Sequence, residues 1–155
     1  MHPLKTAAAA CIAVFALSAA PAFARECPAN EVAANPLADA PTAPDRVTDD
    51  VIASIDLTGR YGVTGRNLRL RRLVVEPGGV VPLHSHADRP ANIYIVDGEI
   101  TEYSSACAVG ITHRKGDVVA EQGELSHWWR NNSRRRAVLL SADIPPAAGN
   151  AQGGM

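Results

Sequence analysis

What most constrains this chain is a rhythm its apolar residues lack. Beyond the first two dozen residues, no window repeats them at the helical period of about 3.6. Instead, β-branched and aliphatic residues alternate with polar ones for a few positions and then stop at Gly, Pro, Asn or Asp. Residues 51–57 and 67–76 form the first runs, the second ending at Pro77-Gly78-Gly79. Residues 80–84 are brief, and 92–96 end at Asp97-Gly98, a hairpin signal. Residues 99–103, 110–113, 117–121, 127–131 and 137–144 complete the set, with Lys115-Gly116 as one of the turns. Short strands about 8–12 residues apart predict an all-β sandwich or barrel, and 155 residues predict a single domain.

The start and end of the chain read differently. Lys5 precedes an apolar run over residues 7–20, followed by Pro21-Ala22-Phe23-Ala24, the pattern of a signal peptide (residues 1–24) cleaved after Ala24. The run falls short of the ~20 residues a membrane span needs, so a periplasmic or secreted product without a membrane span is expected. Residues 25–49, with Pro28, Pro36, Pro41 and Pro44, read as an extended arm, and 145–155 as a disordered Pro/Ala/Gly-rich tail. The expected barrel domain is 50–144. Removing the leader costs one of 15 Lys+Arg, leaving 14 against 16 Asp+Glu. That balance offers no basic excess for nucleic acid. Cys27 and Cys107 remain; in an oxidising compartment they would pair, closing a loop of 80 residues, while two unpaired thiols are the alternative.

Three histidines carry the chemistry. His84 and His86 sit at i and i+2, on one face of an extended segment, where two imidazoles share a metal without bending the backbone. His127, 41 residues past His86, opens another strand and is the third candidate ligand. Neutral imidazole suits Zn, Cu, Fe and Ni. His113 has no partner at useful spacing and reads as a solvated strand end. No nucleophile motif or P-loop is present.

Residues 78–86 (Gly-Gly-Val-Val-Pro-Leu-His-Ser-His), followed by Ile93-Tyr94-Ile95-Val96-Asp97-Gly98, resemble the first motif of the cupin family. Gly116-Asp117-Val118-Val119, Gln122-Gly123 and His127-Trp128-Trp129-Arg130-Asn131 resemble the second. The likeness spans residues 74–143 and implies a double-stranded β-helix, or jelly-roll barrel, with His84, His86 and His127 pointing inward to hold a divalent ion: Fe(II), Mn, Ni or Zn. Ala91 stands where the family has a glutamate ligand, and Gln122 where a proline is usual. Asp88, which continues the alternation 84, 86, 88, is a possible replacement, although Arg89-Pro90 follows it directly. Ala91, Ile93 and Ile95 share inward parity and form an apolar pocket wall. One of Trp128 and Trp129 joins them inside, with Trp129 the pocket candidate. Arg134-Arg135-Arg136 reads as a solvated loop.

Two functions follow. One is a metal-dependent, dioxygenase-like oxidoreductase acting on a small anionic or enolisable molecule. The other is a non-catalytic periplasmic module that binds a metal or small ligand, and a barrel with vestigial histidines is a third reading. The family habit of pairing through an edge strand points to residues 51–57 as a homodimer contact.

Overall fold

The computed structural model describes residues 26–35 and 37–147; the expected signal peptide and most of the expected tail lie outside them. Every element among the described residues is a strand: β1 (Asp45–Asp56), β2 (Asn67–Ser85), β3 (Ala91–Asp97), β4 (Glu99–Ser104), β5 (Ile111–Arg114), β6 (Val118–Glu121), β7 (Ser126–Arg130) and β8 (Ala137–Asp143). None of these residues forms a helix long and apolar enough to cross a membrane. All pairings are antiparallel, in the order β5-β4-β7-β2-β8-β3-β6, with β1 added to β2. The sheet curls, so that side chains of β6, at one end of that path, meet those of β7. The result is the expected all-β jelly roll.

β2 is the spine of the barrel. The sequence predicted two runs broken at Pro77-Gly78-Gly79, but the strand passes through and changes partner there. Arg69–Val75 pairs with β8, and Val80–Ser85 pairs with β7. Gly78 makes the change possible: its φ is 75°, and a Cβ there would sit 2.7 Å from the Arg46 guanidinium. Asp97-Gly98 also differs from expectation, for β3 pairs with β8 and β6 while β4 pairs with β5 and β7. The dipeptide is therefore a corner between two halves of the barrel rather than a hairpin. Gly98 has φ 77°, and a Cβ would lie 2.5 Å from the Arg136 carbonyl.

Alternation sets the interior. Ala91, Ile93 and Ile95 face inward as predicted and pack with Leu73, Val75, Leu139 and Trp129. Trp128 points the other way and stacks on Tyr103 at 4.3 Å between centroids. Arg134, Arg135 and Arg136 are exposed. β1 begins at Asp45, before the Val51 expected, and Pro145–Ala147 of the expected tail are bonded to Gly65–Asn67.

Cys27 and Cys107 are joined, with Cα atoms 5.8 Å apart. Around this bond the arm lies along the β4–β5 connection, where Asn35 donates through its backbone N–H to Ser105 O and through its amide to Cys107 O. Further on, the Leu83 N–H donates to Pro41 O at 2.8 Å, which ties the arm to the strand carrying His84. The closed loop spans 80 residues, so its loss frees much of the unfolded chain. Replacing both cysteines by serine is expected to lower unfolding free energy by about 2–4 kcal/mol in urea titration. An unchanged midpoint would contradict this account of the bond.

Candidate metal centre

β2 carries His84 on its last turn-free stretch, and His86 follows one residue past its end. His127 lies opposite His84 in the β2–β7 register. The hydrogen bonds on the far side of each ring fix its tautomer. His84 Nδ1 is 2.8 Å from Pro82 O, and His86 Nδ1 is 2.8 Å from Arg89 O. His127 Nδ1 is 2.6 Å from Glu102 Oε1. Each partner is a pure acceptor, so each Nδ1 carries a proton and donates, which in the neutral ring puts the lone pair on Nε2.

The three Nε2 atoms face one another. His86 Nε2 is 3.0 Å from His127 Nε2, which is 3.1 Å from His84 Nε2. With Nδ1 donating in each ring, the neutral His84 and His86 turn unprotonated Nε2 atoms toward this point, as metal ligands must. A carboxylate completes the group: Glu121 Oε2 is 3.0 Å from His86 Nε2, and Oε1 is 3.4 Å from His127 Nε2. Glu121 Oε1 is buried with no hydrogen-bond partner. All four donor sets lie within 4.8 Å of one another. An ion about 2.1 Å from each donor places neighbouring donors about 3.0 Å apart in an octahedron and about 3.4 Å apart in a tetrahedron. The observed spacings fit a divalent ion, and three of the four measured suit the octahedral case.

The electrostatics agree. Burial and the neighbouring His127 lower the pKa of His84 to about 3 and that of His86 to about 4, so both rings are neutral. Burial and the nearby Glu102 raise the Glu121 carboxyl well above the usual range. Glu102 is the opposite case: burial acts to raise it, but hydrogen bonds from His113 and His127 prevail and hold it at about 2. The ionised Glu102 thus accepts from His127 and, at 2.9 Å, from His113 Nε2. Carboxylate support of this kind orients a ligand ring and strengthens its lone pair.

These findings correct two readings and extend a third. His113 is fully buried and holds Glu102; it is not a solvated strand end. Asp88 stands outside the cluster, its side chain 70% exposed and paired with Arg66. The missing carboxylate comes from across the sheet, because Ala91 and Glu121 are paired residues of β3 and β6. Glu121 and Glu102 escaped the sequence reading, although each was a charged residue at an inward position of a short strand. Beside His84 and Glu121 lies a cavity of about 30 Å³, walled by Ile93, Trp129 and their apolar neighbours. Ala91 and Ile95 are buried in the wall without lining this space.

Because both folded-state histidine values lie below 6.5, the unfolded chain binds more protons than the folded one between about pH 6.5 and 4. Each ring then withdraws up to about 1.4 kcal/mol of stability per pH unit as pH falls through that window, an effect partly offset by Glu121, whose shift is upward. In the metal-free protein the NMR signals of His84 and His86 are expected to stay unmoved from pH 8 to 5. A midpoint near 6.5 for either ring would contradict the burial that holds these values down.

A family model described as a cupin domain matches residues 71–143. Auxin-binding protein ABP19b of Prunus persica is 31% identical over 91 residues, 57% of this chain and 44% of that protein. Germin-like protein 5-1 of Oryza sativa subsp. japonica is 30% identical over 98 residues, 54% of this chain and 43% of that protein. The chain therefore spans less than half the length of these curated relatives. Among solved structures, a conserved Klebsiella pneumoniae protein with a double-stranded β-helix domain superposes with TM-score 0.53 at 14% identity, covering 70% of this chain and 86% of that one. Barrel, histidine spacing and family match agree: residues 71–143 of this chain form a cupin domain.

Proposed function

We propose that this protein is a secreted metal-binding cupin in which His84, His86, His127 and Glu121 hold one divalent ion, Fe(II), Mn or Ni rather than a four-coordinate structural Zn. The observation that carries this reading is the convergence of three Nε2 atoms and an orphaned carboxylate oxygen in a buried cluster. Glu121 lowers the charge of such a centre from the +2 expected of three histidines alone to +1. Four protein donors leave an octahedral ion two open positions for ligands. A bound ion of this kind polarises a coordinated oxygen and orients what binds beside it. The protein's own part is to hold the donors rigid, exclude bulk water behind Ile93 and Trp129, and keep the His127 ring in place through Glu102.

On this reading the chain is a dioxygenase-like oxidoreductase for a small anionic or enolisable molecule. The cavity's modest volume favours the second reading, a periplasmic module that binds metal or a small ligand without turnover. Secretion is supported by the leader pattern and by the Cys27–Cys107 bond, which suits an oxidising compartment. β1 is an open edge with Val51, Ile52 and Ile55 exposed, a surface suited to a homodimer.

Elemental analysis of untagged protein is expected to find one metal per chain in the wild type and little in His86→Ala or Glu121→Ala. Full metal in Glu121→Ala would remove the carboxylate from the centre. Oxygen uptake by Fe(II)-loaded protein on 1,3-dicarbonyls, thiols or catechols supports the enzyme; bound metal without uptake selects the binding module.

A further inference from the structure

β6 reaches the metal cluster at its last residue, Glu121, and β7 leaves it after His127, so the turn before β6 and the loop after β7 lie at the other end of the barrel. Three connections meet there: the β3–β4 corner at Gly98, the β5–β6 turn at Lys115 and the loop between β7 and β8. Gly98 O accepts from the Lys115 N–H at 3.0 Å, and a Cβ on Gly98 would meet the Arg136 carbonyl at 2.5 Å. Asn131, fully buried, holds the loop from within. Its amide donates to Val75 O and Arg135 O, and its Oδ1 accepts from the N–H and the hydroxyl of Ser133. The backbone beneath Arg134 and Arg135 is therefore fixed, while both residues are exposed.

These connections border a cleft of about 470 Å³, in the size range of small-molecule sites. Arg114, Lys115, Arg134 and Arg135 line it, against Asp97 and Glu99 alone. Charges just outside the lining balance. Arg130 and Arg136 flank the loop, Asp117 accepts from the Arg114 N–H, and Glu76 follows the Val75–Ala137 pair. The surplus is two positive charges. Taking the six lining groups from the 14 Lys+Arg and 16 Asp+Glu of the expected mature chain leaves 10 against 14, so the remainder is acidic.

Ion pairs within the cleft do not consume this charge. Arg114 meets Glu99 at 3.3 Å, while Lys115 and Arg135 share Asp97 at 3.7 and 3.6 Å, every one of these side chains at least 39% exposed. Arg134 has no ion pair among the described residues. Exposed pairs of this kind stabilise a fold very little, so crowding four cations onto three rigid turns does not serve folding.

We infer that this cleft is a second ligand site, separate from the metal centre, and that it takes a phosphate monoester. Such a group carries a charge of about −1.5 to −2 at neutral pH and presents three acceptor oxygens. That charge matches the surplus, and a planar guanidinium donates to two of those oxygens together. A phosphodiester or a carboxylate brings one negative charge and leaves half of the surplus uncompensated. The monoester has two sources, a small soluble ester or the headgroup of a lipid, and both present the same group to the arginines.

The test titrates glycerol 1-phosphate into isotope-labelled, metal-free protein at low ionic strength and follows amide NMR resonances, with dimethyl phosphate as the singly charged control. Saturable shifts are expected at Gly98, Lys115 and Arg134, with the monoester bound about tenfold more tightly than the diester. Arg134→Gln/Arg135→Gln should lose about tenfold in affinity. Arg60→Gln/Arg72→Gln, which removes two exposed arginines elsewhere, should keep the wild-type value. Shifts that never saturate, shifts centred away from the cleft, or equal losses in the two double variants overturn the site. Sedimentation with phosphatidylcholine vesicles, with and without phosphatidic acid, then separates the sources. Capture by the acidic vesicles that Arg134→Gln/Arg135→Gln abolishes assigns the lipid headgroup, and saturable glycerol 1-phosphate binding without capture assigns the soluble ester.

Discussion

Three imidazole rings whose Nε2 atoms converge, that of His127 standing 3.0 Å from His86 and 3.1 Å from His84, are the constraint around which this barrel is arranged. Each ring is held in that orientation from behind. Pro82 O, Arg89 O and Glu102 hold the Nδ1 protons, so no ring can turn its N–H inward without losing a buried hydrogen bond. Burial keeps the His84 and His86 rings from protonating, and Glu121 waits beside them with an unsatisfied oxygen. A shared cation resolves every one of these tensions together.

The fold delivers the four donors from three strands. β2 runs the length of the barrel, passing from β8 to β7 at Gly78, and presents His84 and His86 at its far end. β7 places His127 opposite, and β6 returns along the closing edge with Glu121. Outside this group, Glu102 and His113 form a buried rear support for His127. Arg69, Arg71 and Arg89 gather around Asp143 on the cavity side.

The legible parts of the sequence were those governed by local pattern. Strand alternation placed Ala91, Ile93, Ile95 and Trp129 inside, and the i, i+2 spacing placed His84 and His86 together. The disulfide pair followed from cysteine count and compartment. What remained hidden depended on pairing between distant strands. Glu121 sits opposite Ala91 only because β3 pairs with β6, and β4 and β5 intervene along the chain. A search for the lost carboxylate along the chain reached Asp88; the sheet supplied it sideways. His113 looked solvated because its partner, Glu102, was invisible without the β4–β5 register. Asp97-Gly98 carried a true turn signal, yet the local code does not say whether a turn joins neighbours or rounds a corner.

The most direct measurement is anomalous diffraction from crystals of the Mn(II)-loaded protein. The account predicts a single peak bonded at about 2.1–2.3 Å to Nε2 of His84, His86 and His127 and to a Glu121 oxygen. A peak elsewhere, or an ion at the cluster that leaves Glu121 or His127 unbound, would contradict it.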